Sequence, residues 1–410
     1  MSRRGARVQR SAAEWRARIM LAIAAAVLGT VSVSHSLAYM MRIAAVEHAH
    51  LLAPWDGRIT ALLSAKLSGP EASVAERRRA DDLARQALQQ DPTAVPAVAT
   101  LVIDAEIRGD TATARKIFTY SEMLSRRDLR TRIWAIEDAV ARGDIPGTLR
   151  NYDIALRTSR IAPDLLFPVL INAITDGNIR AALVRTLAAR PAWGDQFIAY
   201  VSGNGPDARA TARLFEALQK RQIVQSEGAT AALVTRLLTE GHVDDAWRYY
   251  SSVTPGVDRR QSRDSQFVAN RATPSAFDWN LVSDSGIVAT IQRGERGGIF
   301  DFSVPSSLSG PLLEQMQWLP PGSYILEGHS IGIDQPDATL PYWVLHCGEG
   351  RELGRVVVPA STRDNGRFSG RFRVPADCAV QHLILMARAT DQMTGTIGQI
   401  DRVRLRPIGG

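Results

Sequence analysis

Three hydrophobic patterns follow one another along the chain. The first is an uncharged run at 19–41, long enough as a helix to cross the roughly 30 Å hydrocarbon core of a bilayer. The second sets small residues four before bulky ones: Ala114 and Phe118, Thr148 and Tyr152, Ala246 and Tyr250. Ala80, Ala84 and Ala87-Leu88 keep the same helical step, as do Ala182, Thr186 and Ala189. The small side chain lets two helices of a hairpin approach, and the bulky one fills the gap to the next hairpin. The third is a series of short β-like runs at 287–291, 298–303, 322–328, 342–345, 355–358, 370–374, 381–387 and 399–405, separated by Gly/Pro-rich turns. Such a series predicts a β-sandwich or jelly roll. The expected organisation is therefore a tail at 1–18, a transmembrane helix at 19–42 and a juxtamembrane helix at 43–70. An α-solenoid at 71–255, a linker at 256–275 and a β-sandwich at 276–408 complete it. The linker is expected where Thr254-Pro255-Gly256 ends the helical pattern and the charged, aperiodic 258–264 follows.

Turn residues punctuate the helical part. Gly109-Asp110, Gly143-Asp144 and Gly177-Asn178 stand 34 residues apart, and Asp91-Pro92 ends an earlier helix because Pro has no N–H to donate. A degenerate unit surrounds Ala212, and Gly241-His242 restores the pattern. Over residues 71–255 these positions resemble the tetratricopeptide repeat family, a stack of helix–turn–helix units. The family's first-helix Trp, Leu-Gly and Tyr are largely missing. The resemblance implies a solenoid on which other proteins, here envelope proteins, dock.

Charge places the chain rather than giving it a chemistry. Arg3, Arg4, Arg7, Arg10, Arg16 and Arg18 precede the apolar run and Arg42 follows it, which orients the N-terminus to the cytoplasm. Of the formal net charge of +7, +5 lies in the first 18 residues, leaving the rest nearly balanced. A nucleic-acid surface needs a concentrated basic patch on the folded part, so none is expected. The basic run 126–132 reads as a solvated, salt-bridged helix face. Lysine occurs only at Lys66, Lys116 and Lys220, the Arg-rich usage of a high-GC bacterium. The location expected is the inner membrane, single-pass, with the bulk in the periplasm. A cleavable signal peptide is the competing reading, because Ser36-Leu37-Ala38 loosely fits a cleavage site.

Cys347 and Cys378 are the two cysteines; in an exported chain such a pair predicts a disulfide. Several strands nearby resemble the galactose-binding-like jelly roll of carbohydrate-binding modules: the entry Leu319-Pro320-Pro321-Gly322-Ser323-Tyr324, Phe372-Arg373-Val374-Pro375, and the terminal Ile400-Asp401-Arg402-Val403-Arg404-Leu405. The resemblance implies a sandwich that binds an oligosaccharide, or a protein. Sugars stack on aromatic rings, so Trp279, Trp318, Tyr342 and Trp343 are the candidate ligand contacts. Adjacent strand residues face opposite ways, and Tyr342 is the ring expected to be exposed.

Other chemistry is weakly marked. Gly328-His329-Ser330-Ile331-Gly332 has the nucleophile-elbow spacing, but the helix that motif requires is replaced by Asp334-Gln335-Pro336-Asp337. His48 and His50 lie about 200° apart on a helix, a poor metal pair. No cofactor is expected, with Asp301, Asp334, Asp337 and Asp401 the carboxylates open to a structural Ca²⁺. The sequence thus points to a non-enzymatic scaffold in assembly or export of a surface polysaccharide. A hydrolase of envelope polymers and an oligomerising structural protein are the alternatives.

Overall fold

Fourteen α-helices precede a two-sheet antiparallel β-sandwich in the computed structural model, which describes residues 12–269, 271–282, 286–294, 297–348, 350–393 and 395–408. Arg3, Arg4, Arg7 and Arg10 of the basic tail lie outside the described residues. Helix α1 (Ala12–Met41) is 30 residues long with a mean hydropathy of 1.8 over its most apolar window, and that window is not buried. By length and composition it can cross a membrane; a signal sequence near an N-terminus passes the same test. Two compact units divide between Leu166 and Phe167.

The first unit continues with α2 (Val46–Leu52), α3 (Gly57–Leu67), α4 (Val74–Gln90), α5 (Val95–Ile107), α6 (Thr111–Leu124), α7 (Leu129–Ala141) and α8 (Ile145–Thr158). The stretch at 43–70 is thus two helices, and α3 packs on α4 and α5 as part of the helical array. Local chemistry starts and stops each element. Asp56, Asp110, Asp128 and Asp144 accept N–H groups of the first turn of α3, α6, α7 and α8, and Ser73 with Glu76 forms a capping box on α4. Gly109 and Gly143 end α5 and α7 at φ +78° and +70°. The following Asp N–H returns to a carbonyl five residues back, at 2.9 Å in both turns. This stop needs a left-handed residue, which glycine supplies without strain.

Small side chains fill the contacts: Ala61, Ala84, Ala87 and Ala97 form one buried cluster. Ala114 is fully buried beside Val102 and Trp134, whose ring lies 5.2 Å from Phe118. The basic run is not simply a solvated face. Arg130 donates to the carbonyls of Ala65 and Ser68 at the C-terminal end of α3, and buried Arg132 binds Glu122 and Asn151. The negative end of the α3 dipole for Arg130, and Glu122, Asn151 and the Arg126 carbonyl for Arg132, make this burial tolerable.

The division falls within α9 (Ala162–Ala173). The second unit then holds α10 (Gly177–Ala188), α11 (Gly194–Asn204), α12 (Ala208–Gln219), α13 (Glu227–Thr239) and α14 (Val243–Val253). Here the 34-residue glycine phase fails. Gly177 is the first residue of α10, not a left-handed stop, and Asp176 is the cap, accepting from Asn178 and Ile179. Second helices start at Thr111, Ile145, Gly177, Ala208 and Val243, so the repeat drifts because each connection is built differently.

The sandwich has strands β1 (Asn280–Leu281), β2 (Val288–Gly294), β3 (Gly297–Val304), β4 (Gly310–Gln317), β5 (Gly322–Ile331), β6 (Tyr342–Cys347), β7 (Glu352–Val357), β8 (Arg367–Val374), β9 (Gln381–Ala387) and β10 (Thr396–Pro407). One sheet runs β1-β4-β9-β6-β7 and the other β2-β3-β10-β5-β8. Alternate residues, including Phe300, Phe302, Leu326, Phe372 and Leu385, meet in one core between them. A disulfide joins Cys347, at the end of β6, to Cys378, just before β9, with Cα atoms 5.6 Å apart.

Within the stretch expected as a linker at 256–275, residues 262–267 are instead part of the sandwich. Ser262 N–H donates to Leu405, Val403 N–H to Ser265 and Gly298 N–H to Gln266, so this segment lines the edge of β10 beyond its pairing with β3. Phe267 enters the core, and a Cβ on Gly298 would strike its carbonyl oxygen at 2.0 Å. Composition misleads here because the charge of Arg263 is matched inside the fold. Its guanidinium donates to Phe277 and Met316 carbonyls and to Gln317, while Gln315 brackets its backbone. Burial holds its pKa down to about 10, against the pull of Tyr250 and Asp278.

A candidate binding surface on the sandwich

Strand alternation assigns each side chain of β5, β8 and β10 to the core or to the outside. Phe368, Phe372 and Val374 of β8 and Tyr324 and Leu326 of β5 go inward. Outward on β5 stand Ile325, Glu327 and His329; outward on β8 stand Arg367, Ser369, Arg371 and Arg373. In register, His329 lies between Arg367 and Arg402, Glu327 between Ser369 and Arg404, and Ile325 between Arg371 and Arg406.

Strand β10 reaches this arrangement through a bulge. Ile400 is buried, so strict alternation would turn Arg402, Arg404 and Arg406 into the core. The irregularity between Ile400 and Arg402 inserts Asp401 and reverses the phase, leaving Val403 and Leu405 inside and three arginines outside. Asp401 itself bonds His329 Nδ1 at 2.8 Å. Glu327 forms a two-pronged pair with Arg406, at 3.1 and 2.7 Å. Both carboxylates of the face are thereby engaged. Among the described residues, Arg367, Arg371, Arg373, Arg402 and Arg404 join no ion pair; Arg404 donates to Gln261.

Part of the face is the floor of an open groove of about 1220 Å³. Its rim carries Arg363, paired with Asp337 at 2.6 Å, and a turn in which Asp364, Asn365 and Gly366 are all left-handed. A Cβ on Gly366 would meet Ser330 O at 2.0 Å, so this rim closes tightly onto β5.

The aromatic candidates do not assemble into a platform. Trp343 is fully buried and Trp279 is 6% exposed, their rings 5.7 Å apart in the core, with Trp279 Nε1 donating to Asp264 O. As ligand contacts these two are corrected: a core ring has no face left for a sugar. Half-buried Trp318 lies 6.1 Å from Trp247 of α14, under Arg259. Tyr342 points outward on the other sheet, where Arg355 and Arg388 lie 4.9 and 4.6 Å from its ring centre. Residue types suggested rings; the face that stands open is built from arginine. Its signal was present as alternating Arg at 371 and 373 and at 402, 404 and 406, which on a strand puts charge on one side.

Ser330 is 1% exposed, bonded to Gly366 O and Ser361, and β5 runs on through it. Its neighbour His329 faces the opposite way, so the elbow spacing places no exposed hydroxyl. Asp301, Asp337 and Asp401 bond Gln399, Arg363 and His329 respectively. No group of three His, Cys, Asp or Glu suited to a metal occurs among the described residues.

Within the second unit the last helical hairpin is fixed to the sandwich. Tyr250 Oη donates to Asp278 at 2.9 Å, Arg271 reaches the same carboxylate at 3.1 Å, and Trp247 meets Phe277 edge-on at 5.3 Å. Burial, then the Asp278 charge, pushes the Tyr250 hydroxyl well above the ordinary tyrosine range.

No known family matches the sequence, and no curated protein matches it. Among solved structures, similarity is found to the enzymatically active domain of bacteriophage CBA120 tailspike protein 4, at 14% identity and a TM-score of 0.26. That match covers 37% of this chain and only 21% of the tailspike domain. PilW, a type IV pilus biogenesis factor, matches at 15% identity and a TM-score of 0.25 over 48% of this chain and 93% of its own. A carbohydrate-binding module of Cellvibrio mixtus lichenase 5A, in complex with cellotriose, matches at 11% identity and a TM-score of 0.21 over 32% of this chain and 98% of the module.

Proposed function

We propose that the protein is a non-enzymatic adaptor, anchored in the bacterial inner membrane by α1 and exposed to the periplasm. Its helices dock envelope proteins and its sandwich holds a glycan, in assembly or export of a surface polysaccharide. The observation that carries this reading is the joint among Arg263, Tyr250, Asp278 and Arg271. A hydrogen-bonded ion network of buried and half-buried groups tolerates few alternative geometries, so a ligand on the sandwich is held at a fixed position relative to α13 and α14. That is what an adaptor requires of its two binding parts.

Deletion of the gene in the source bacterium is expected to reduce surface polysaccharide, with rescue by the full chain. A chain whose α1 is replaced by a cleavable signal peptide should not rescue. A reporter fused at the C-terminus should be active only outside the cytoplasm, and the protein should resist an alkaline wash. Unchanged polysaccharide in the deletion strain would remove the reading. Hydrolysis of the polymer by purified protein would replace it with the hydrolase alternative.

A further inference from the structure

We infer that the outer face of β5, β8 and β10 binds a linear acidic polysaccharide, its carboxylates held by two arginine rows. One row is Arg402, Arg404 and Arg406; the other is Arg367, Arg371 and Arg373. The inference rests on the glycan-binding reading of the sandwich and names the class of glycan.

The rows flank β5, so they stand about 10 Å apart, two strand spacings of about 4.8 Å, and successive outward residues within a row are about 6.8 Å apart. Five of the six arginines meet no carboxylate among the described residues, as shown above. Like charges on neighbouring strands repel, and an anion laid between the rows relieves that repulsion. Guanidinium is the cation suited to this work, because its planar fork meets a carboxylate with two parallel hydrogen bonds.

The floor between the rows decides which polyanion fits. It carries Ile325, Glu327 and His329 of β5, with Ser369 beside Glu327 on β8; all but Ile325 can exchange hydrogen bonds with sugar hydroxyls. Glu327 would repel an unbroken phosphate backbone, but it can accept from a hydroxyl between carboxylates. No Phe, Tyr or Trp side chain projects from this face among the described residues, so a single-stranded nucleic acid would find only the His329 imidazole, already bonded to Asp401, to stack on. The groove walled by the left-handed turn at 364–366 is concave, whereas a membrane surface needs a flat or convex contact.

The test uses the full-length protein in detergent, titrated with polygalacturonate, alginate and fully methyl-esterified polygalacturonate. Both acids should bind and the ester should not. Raising salt from about 50 to about 200 mM should weaken binding at least roughly tenfold, because releasing condensed counterions gains less entropy at higher salt. The double variant Arg371→Gln/Arg404→Gln should lose about tenfold or more in affinity with an unchanged melting curve. Equal binding of acid and ester, unaffected by the double variant, would overturn this inference while leaving the sandwich a glycan binder. Failure of both acids while a neutral glycan array gives a signal would do the same. Silence of every saccharide would overturn the glycan reading as well. Tighter, arginine-dependent binding of polyphosphate or of phosphatidylglycerol vesicles would also overturn it, assigning the rows to phosphate.

Discussion

On the outer face of the sheet containing β6, arginine is a packing residue; on the outer face of the sheet containing β10, five of the six arginines of β8 and β10 meet no carboxylate among the described residues, and Arg406 alone pairs with Glu327. Arg355 of β7 and Arg388, just past the end of β9, lie against the ring of Tyr342, and Arg355 is also paired with Glu352 at 2.6 and 2.7 Å. Val344, outward on the same strand and in register with Arg355, is 1% exposed. Among the described residues, Arg367, Arg371, Arg373, Arg402 and Arg404 meet no phenyl, phenol or indole ring and no carboxylate. The same side chain therefore serves stability on one face and availability on the other, and its neighbours, not its identity, make the difference.

The comparison can be broken most severely through the disulfide, which staples only the β6 sheet. Cys347→Ser with Cys378→Ser should lower unfolding free energy by roughly 3–4 kcal/mol on the chain-entropy model, read by urea unfolding. A much smaller loss would show that the β6 sheet holds its register without the covalent link. A pH effect comes next. Burial holds the His382 imidazole below its ordinary 6.5, with Glu314 opposing and His346 assisting. A depressed histidine favours folding fully above 6.5, and that contribution is lost as pH falls through the lowered folded value. Melting temperature should therefore drop on acidification below about 6.5, and His382→Gln should flatten the drop; an unflattened curve would assign the titration elsewhere.

Truncating the packing arginines should cost less. Arg388→Ala is expected to destabilise by about 0.5–1 kcal/mol, and Arg355→Ala should act in the same direction. The smallest effect belongs to the other face. Arg371→Gln and Arg404→Gln should each leave stability within about 0.5 kcal/mol, with any change a gain at low salt as repulsion falls. If these two cost as much as Arg388→Ala, the contrast between the faces would collapse.

Features that depend on near neighbours along the chain were readable from the residues alone. Asp110 and Asp144 cap helices three residues on, and Gly109 and Gly143 supply left-handed stops, so helix ends were legible from short spacings. Strand runs were legible because side-chain alternation is local. Gly177 shows the limit: equal spacing with a different turn. Three features were decided only by the tertiary structure. Residues 262–267 join the sandwich because β10 offers an unpaired edge and the fold supplies acceptors for Arg263, neither of which composition records. Trp279 and Trp343 became core rings because two sheets close over them. The arginines of β10 face outward only because the bulge at Asp401 reverses the strand's phase, and a bulge is set by pairing with β3 and β5, which lie far away along the chain. Local hydrogen bonding fixes where an element begins and ends; which of its faces meets water is fixed by what packs against the other.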